Sequence, residues 1–395
     1  MESEDGLMGC FLCFYLLIIC FAESQMKLFP KLYKSLSLLK HWRKYTDCDT
    51  YYPADEHKSK LSMLWDQLFF IWKYGDIEPF YFTYGFDRIE MTRQRMTGEY
   101  LLPYSHFQKR INFLNFHHPQ YGVFHGRTIT CDKFYFYVFL NQVGIPTPKV
   151  YCYIKSSSPL FFDPMFRIDS TLSARDQISS FLSNDMDAFV KPSAGELGRD
   201  TFTLRVSDGC VFIDGIETPL PIVVDKLLSA DYLIQERIKQ HPQLAILNES
   251  SINTIRLQTV IDETGQVHPF GAGLRIGRKW SSVDNWAKGG VFVGINMDKG
   301  TLKPLGIIKP QFGTSATAHP DTGVEFNEVE IPFYKEAESM AIQLHHFLYR
   351  CHSVGWDIAI TEHGPVFFEG NGLWEISLVQ AVQGGLKNQI KKYFL

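Results

Sequence analysis

Gly355-Trp-Asp-Ile-Ala-Ile-Thr-Glu-His-Gly-Pro-Val-Phe-Phe-Glu-Gly-Asn371 reads as two strands joined by a tight turn. The two-residue period of a strand puts Ile358 and Ile360 on one face of the first arm, with Asp357 and Ala359 on the other. On the second arm it pairs Val366 with Phe368 and sets Glu369 and Asn371 opposite them. With the turn centred near His363, Asp357 falls directly across from Glu369, and Asn371 lies two residues further along the same face. Two neighbouring carboxylates repel unless a cation or a proton separates them. A donor set of oxygens alone suits Mg²⁺ rather than zinc or copper. An ordinary hairpin with a solvated polar side would carry the same residues, and a slip of one residue would part the two acids.

Outward from this ribbon, the chain from Thr128 onward is strand-rich. A helix over Cys131 to Val143 leads through Gly144-Ile-Pro-Thr-Pro148 into a strand at Lys149 to Ile154. Further strands are expected at 187–191, 201–206, 210–213 and 232–238, then a longer pair at 253–261 and 268–276 joined by Glu263-Thr-Gly265. An amphipathic helix over 332–350 precedes the ribbon. Short turns between strands predict an α+β chain with mostly antiparallel sheet. Upstream, residues 26–125 read as helical and irregular, with Leu61 to Tyr74 at helical spacing and Arg88 to Met96 rich in charged helix formers.

Isolated lysines and glycines give the ribbon a chemical context. Lys191 ends an apolar strand just before Ser193-Ala-Gly-Glu-Leu-Gly-Arg199, a turn able to offer backbone N–H groups beside a cation, although a surface lysine before a turn is the commoner reading of such a sequence. Asp132-Lys133 opens the helix before Gly144 and could offer a second cation. No G-x-x-x-x-G-K-[ST] loop is present, and Gly271-Ala-Gly-Leu-Arg-Ile-Gly277 is not a dinucleotide fingerprint.

The order of these features resembles the ATP-grasp superfamily. Glu249-Ser-Ser-Ile-Asn-Thr-Ile-Arg256, Leu274-Arg-Ile-Gly-Arg278, Ser282-Val-Asp-Asn285, Gly289-Gly290 and Gly355-Trp-Asp-Ile-Ala359 are similar to the sugar-transfer-associated ATP-grasp branch, related to α-L-glutamate ligases. The resemblance runs from about Thr128 to the C-terminus. It implies an ATP-grasp fold, two antiparallel-sheet subdomains clasping ATP, behind a mainly helical N-terminal region. It implies Lys133 and Lys191 on the ATP phosphates, with Gly195 and Gly198 in the phosphate loop. Gln235, Glu236 and Ile238 would stand at the adenine. Asp357, Glu369 and Asn371 would hold Mg²⁺, and Arg256, Arg275 and Asn285 would face the transferred phosphoryl and acyl phosphate. The phosphate loop departs from its relatives, which are richer in glycine: Glu196 would repel phosphate unless it turns away or meets a cation, and Arg199 could compensate. The activity implied is an ATP- and Mg²⁺-dependent carboxylate–amine ligase using small-molecule carboxylate and amine substrates. A sugar-linked acceptor in polysaccharide or glycan modification follows from the family name alone. A kinase of a sugar or polyol hydroxyl, or a nucleotide-binding module without turnover, are the alternatives. His241 either lines the nucleotide pocket or is structural, and His345/His346 read as structural or exposed.

Composition bounds the rest. The chain has 395 residues, 43 acidic against 39 basic, and 32 Phe, 19 Tyr and 7 Trp. Aromatic surface on this scale argues against global disorder. The near balance of charge argues against nucleic acid as a partner. The eight cysteines form no C-x-x-C…C-x-x-C pair, Cys10 and Cys13 having no second ligand pair nearby, so reduced cytosolic thiols are expected. Residues 6–22 form an apolar run preceded by acids and followed by lysines. An over-extended start before Met26, a membrane anchor and a secretory signal are the three readings; the first two leave the bulk of the chain cytoplasmic, and the second brings membrane contact. The expected organisation is 1–25 as that segment, 26–126 as a helical region and 127–395 as the ATP-grasp domain.

Overall fold

The computed structural model describes residues 28–120, 125–166, 168–193, 200–281 and 283–394. The apolar run 6–22 and the loop residues Gly195, Glu196, Gly198 and Arg199 lie outside them. The chain divides into two compact units, to Phe107 and from Gln108.

The first unit is helical, with an aromatic core. The expected helix is present as Lys60–Tyr74; the Ser59 hydroxyl caps it by accepting from the Ser62 N–H, and Gly75 ends it in the left-handed conformation. The second expected helix starts late, as Arg93–Glu99. Thr92 accepts the Arg95 N–H and fixes the start there, while Arg88 stacks its guanidinium over the Tyr52 ring. Phe70, Tyr81, Tyr84, Phe86 and Tyr100 are buried against one another in tilted and edge-to-face pairs.

In the second unit the described strands form two antiparallel sheets. The seven-stranded sheet runs β2-β1-β7-β3-β4-β5-β6, from β1 (Val150–Lys155), β2 (Ser158–Phe161), β3 (Met186–Pro192), β4 (Phe202–Ser207), β5 (Cys210–Ile213), β6 (Ile216–Glu217) and β7 (Tyr232–Glu236). The six-stranded sheet runs β11-β10-β9-β8-β12-β13, from β8 (Thr254–Ile261), β9 (Val267–Ile276), β10 (Val291–Asn296), β11 (Thr301–Ile307), β12 (Ser353–Thr361) and β13 (Gly364–Asn371). Helix α1 (Lys133–Val143) and helix α2 (Tyr334–Phe347) pack on the second sheet.

The alternation along β12 decides which face is core. Val354, Trp356, Ile358 and Ile360 are fully buried with Leu344 and Ala341 of α2, each contributing roughly 1.5–3 kcal/mol where the side chain is large. Trp356 donates its indole N–H to the Thr259 hydroxyl, which bonds Nδ1 of buried His345, whose Nε2 bonds the Cys351 carbonyl. His345 is therefore structural, and His346 is exposed. His241 caps a short helix by accepting the Gln243 N–H and does not line the cleft described below.

Candidate active site

The ribbon is β12–β13, and its register places Asp357 opposite Glu369 and Gly355 opposite Asn371. The pairing expected from the sequence is there, but by a different route. The loop is only Glu362-His363, closed by Thr361 against Gly364, so an unbroken ladder would set Asp357 against Phe368. A bulge between Asp357 and Ile358 shifts the register by one and restores the acid pair. The bulge also corrects the face assignment of the second arm: Phe367 enters the core, and Phe368 lines the cleft with Glu369.

The neighbouring strands extend this pair into a row. Gly273 on β9 pairs Arg256 on β8, Arg256 pairs Asp357 on β12, and Asp357 pairs Glu369 on β13. One line across four strands thus reads Gly, Arg, Asp, Glu. Arg256 Nε stands 2.9 Å from Asp357 Oδ1, and Nη2 donates to Oδ2 at 3.2 Å. Arg275, two pairs further along on the same face, reaches Asp357 Oδ2 with Nη2 at 2.9 Å. Asn371 Nδ2 lies 3.5 Å from the same oxygen. Asp357 is buried, unlike a residue on the solvated side of an ordinary hairpin, because two guanidiniums cover it. The row requires Gly355: a Cβ there would come within 2.7 Å of Trp374 and 3.2 Å of Arg256 Nη1.

The cations come from elements on either side. Asp132 caps α1 by accepting the N–H groups of Phe134 and Tyr135, which makes Lys133 the first helical residue. Lys133 Nζ lies 3.6 Å from Glu369 Oε1, and its N–H donates to the Ser193 carbonyl, tying α1 to the residue that follows Pro192 at the end of β3. Lys191, near the end of β3, is buried and has no carboxylate within ion-pair distance among the described residues. Burial pulls its ammonium down to about 8 and nearby Lys133 adds to this, against the opposing pull of Glu369 and Asp357. Burial also lowers Arg256, whereas for Arg275 the carboxylates of Asp357 and Asp284 outweigh burial and raise it; both remain cations.

Gln235 and Glu236 end β7, next to β3. Gln235 is buried, while the Glu236 carboxylate accepts the Lys149 N–H at 2.8 Å and its own N–H donates to the Lys149 carbonyl. Asn285 caps a single turn of tight helix by accepting the Ala287 N–H at 2.8 Å. Gly289 ends that turn at a positive φ, and a Cβ on Gly290 would stand 2.7 Å from the Asp284 carbonyl oxygen. The spacing from Asn285 to the paired glycines is thus the spacing of one capped turn.

Lys133, Lys191, Gln235, Glu236, Ile238, Arg256, Arg275, Asn285, Asp357, Glu369 and Asn371 all line a single cleft of about 1400 Å³ in the second unit. Sequence reasoning missed two members. Asp284 accepts from the Thr254 hydroxyl and N–H and sits 3.7 Å from Arg275 Nε, which also donates to Thr254 at 3.1 Å. Burial raises the Asp284 carboxyl, opposed by Arg275. The available signal was Thr254 two residues before Arg256 on one strand face, and an acid beside Asn285. Among the described residues no group of three or more His, Cys, Asp or Glu could hold a metal. The oxygen set at the ribbon has two carboxylates and the Asn371 amide, hard donors of the kind Mg²⁺ takes.

The profile of the family described as sugar-transfer associated ATP-grasp matches residues 125–393. The chain belongs to that family, and its two-sheet second unit is an ATP-grasp fold. Solved structures similar to it include D-alanyl-alanine synthetase A from Vibrio cholerae, at 10% identity and TM-score 0.37, over 66% of this chain and 60% of that one. Another is N5-carboxyaminoimidazole ribonucleotide synthetase (purK) in its ADP complex, at 11% identity and TM-score 0.35, over 62% and 45%. A third is the ATP-grasp ligase PsnB with a precursor peptide and AMPPNP, at 15% and 0.31, over 61% and 50%. The chain spans less than two thirds of the length of each. No curated protein matches it.

Proposed function

We propose that this protein is an ATP- and Mg²⁺-dependent ligase joining a carboxylate to an amine through an acyl phosphate. The observation that carries the reading is the convergence of Lys133, Lys191, Arg256 and Arg275 on the Asp357–Glu369 pair in one cleft. Phosphoryl transfer asks for little covalent chemistry and much positioning of charge, and no nucleophilic side chain is needed. Lys133 and Lys191 would hold the phosphates, with Gln235, Glu236 and Ile238 at the base and Gly195 and Gly198 over the chain of phosphates. Asp357, Glu369 and Asn371 would hold the metal, which supplies charge neutralisation between phosphate oxygens when bound.

Arg256 and Arg275 would orient the substrate carboxylate toward the γ-phosphorus, with Asn285 beside them. A carboxylate oxygen forms the new P–O bond as the β–γ bridging bond breaks and ADP leaves. An amine nitrogen then attacks the acyl carbon, the C–O bond breaks, and inorganic phosphate departs. The class name of the family supports an acceptor linked to a sugar.

The test is a screen of amino acids and other carboxylates against amino sugars, following ADP, free phosphate and product mass. One ADP and one phosphate per new amide are expected. Phosphate retained on the product would mean a kinase, and no acceptor-dependent ADP release despite ATP binding would mean a module without turnover.

A further inference from the structure

The first unit carries a surface that the cleft does not explain. The helix over 28–40 runs beside Lys60–Tyr74, because Lys31 Nζ donates to the Trp72 carbonyl at 2.8 Å and Lys34 Nζ donates to the Gly75 carbonyl at 2.9 Å. Lys34 also pairs with Asp76 at 2.8 Å. These ammonium groups satisfy the carbonyl end of the second helix. Each helix buries one side, through Ser35 and Leu38 on the first and Met63, Phe70 and Ile71 on the second.

The other sides are apolar as well. Phe29, Leu32, Tyr33 and Leu36 recur at three- and four-residue spacing, and Phe29 and Tyr33 are 69% and 75% exposed. Leu61, Trp65 and Trp72 repeat the pattern with half-buried Leu68 between them, at 65%, 57% and 46% exposure. The Lys31–Trp72 contact sets the start of one stripe beside the end of the other.

Charge says what would cover such a surface. Residues 26–46 hold six basic side chains (Lys27, Lys31, Lys34, Lys40, Arg43 and Lys44) and no acidic one. Lys40, Arg43 and Lys44 are exposed at the end of the first stripe. Protein interfaces deplete charged residues, Lys among them, at their centres. A basic amphipathic helix bearing Tyr33, beside a helix bearing Trp65 and Trp72, instead matches a bilayer surface, acyl chains taking the stripes and anionic headgroups the cations. The uncharged run 6–22 immediately upstream has the same preference in its sequence. We propose that the outer face of this helix pair docks on anionic lipid membranes, holding the ligase unit at the surface where a lipid-linked acceptor would be presented. Membrane docking itself does not depend on the ligase reading.

The test uses the full chain and vesicles of phosphatidylcholine with or without phosphatidylglycerol, their acyl chains dibrominated. Residues 6–22 contain no Trp, so quenching of tryptophan emission reports the described chain and not that run. Flotation with the phosphatidylglycerol vesicles and quenching are expected, the quenched signal falling by at least half in Trp65→Phe/Trp72→Phe. Lys40→Gln/Lys44→Gln should weaken partition onto the anionic vesicles at least ten-fold with an unchanged thermal midpoint. Failure to float with either vesicle overturns the proposal, as would a face buried in a lipid-independent dimer. Quenching equal in wild type and Trp65→Phe/Trp72→Phe also overturns it, since the lipid would then meet another part of the chain.

Discussion

The two sheets that border the cleft treat charge in opposite ways. On the six-stranded sheet, Asp357 is surrounded by Arg256, Arg275 and Asn371, and Asp284 holds Arg275 from behind. That side neutralises itself within the protein and is set in place before any ligand arrives. On the seven-stranded sheet, Lys191 is buried with no carboxylate in ion-pair distance among the described residues, and burial weakens its hold on the proton against the pull of Glu369 and Asp357. One side spends its charges on stability; the other keeps a cation at a cost to stability, ready for an anion. The contrast teaches that equally buried charges in one cleft need not respond alike to substitution.

Asp357→Asn should produce the largest effect, because it breaks both stability and chemistry. It strands buried Arg256 and leaves Arg275 with Asp284 alone, and removing one member of a buried pair costs about 3–5 kcal/mol. A clear fall in the thermal midpoint is expected together with loss of ATP turnover. An unaltered midpoint would show that the arginines find other partners. Lys191→Met should separate the two quantities. ATP affinity should drop by roughly 10–100-fold through loss of a charge-assisted contact. Stability should rise by about 1–3 kcal/mol, because a buried cation held at a desolvation cost is gone. Calorimetric melting together with nucleotide titration reads both, and a destabilised Lys191→Met would erase the contrast.

Asp284→Asn sharpens the arginine side. The amide still bonds Thr254 but no longer holds Arg275, so kcat should fall about ten-fold with the KM for ATP unchanged. An equal loss in both would make Asp284 a plain structural residue. The smallest effect is pH dependence. Phosphate favours the ammonium form of Lys191, whose free value is about 8. ATP affinity should therefore be full below that pH and fall by up to about ten-fold per unit above it. Lys191→Met should flatten that slope.

The same contrast marks what the sequence could reveal. Asp357, Glu369 and Asn371 were legible because a strand period and a tight turn bring them together within one ribbon. The bulge was not, since nothing in Val366-Phe-Phe-Glu369 announces an extra residue; here the error in the turn centre and the bulge cancelled. The burial of Asp357 was hidden because it depends on the β8–β12 register, which joins residues about a hundred positions apart. Asp284 was hidden for the same reason: its meaning comes from Thr254 and Arg275 across strands. Strands such as Val291–Asn296 and Thr301–Ile307 completed a sheet whose outline alone was readable. For Gly195 and Gly198 the loop remains a matter of sequence and proposal.

The most direct test of the proposed shared nucleotide–metal site is calorimetric titration of ATP with and without Mg²⁺ into wild type and Glu369→Gln. Glu369 is partly exposed, so this substitution leaves the Arg–Asp network standing. Wild type should bind ATP more tightly when Mg²⁺ is present, and Glu369→Gln should lose that increment while keeping its metal-free affinity. Identical Mg²⁺ dependence in the two proteins would contradict the assignment of the ribbon as the metal's seat.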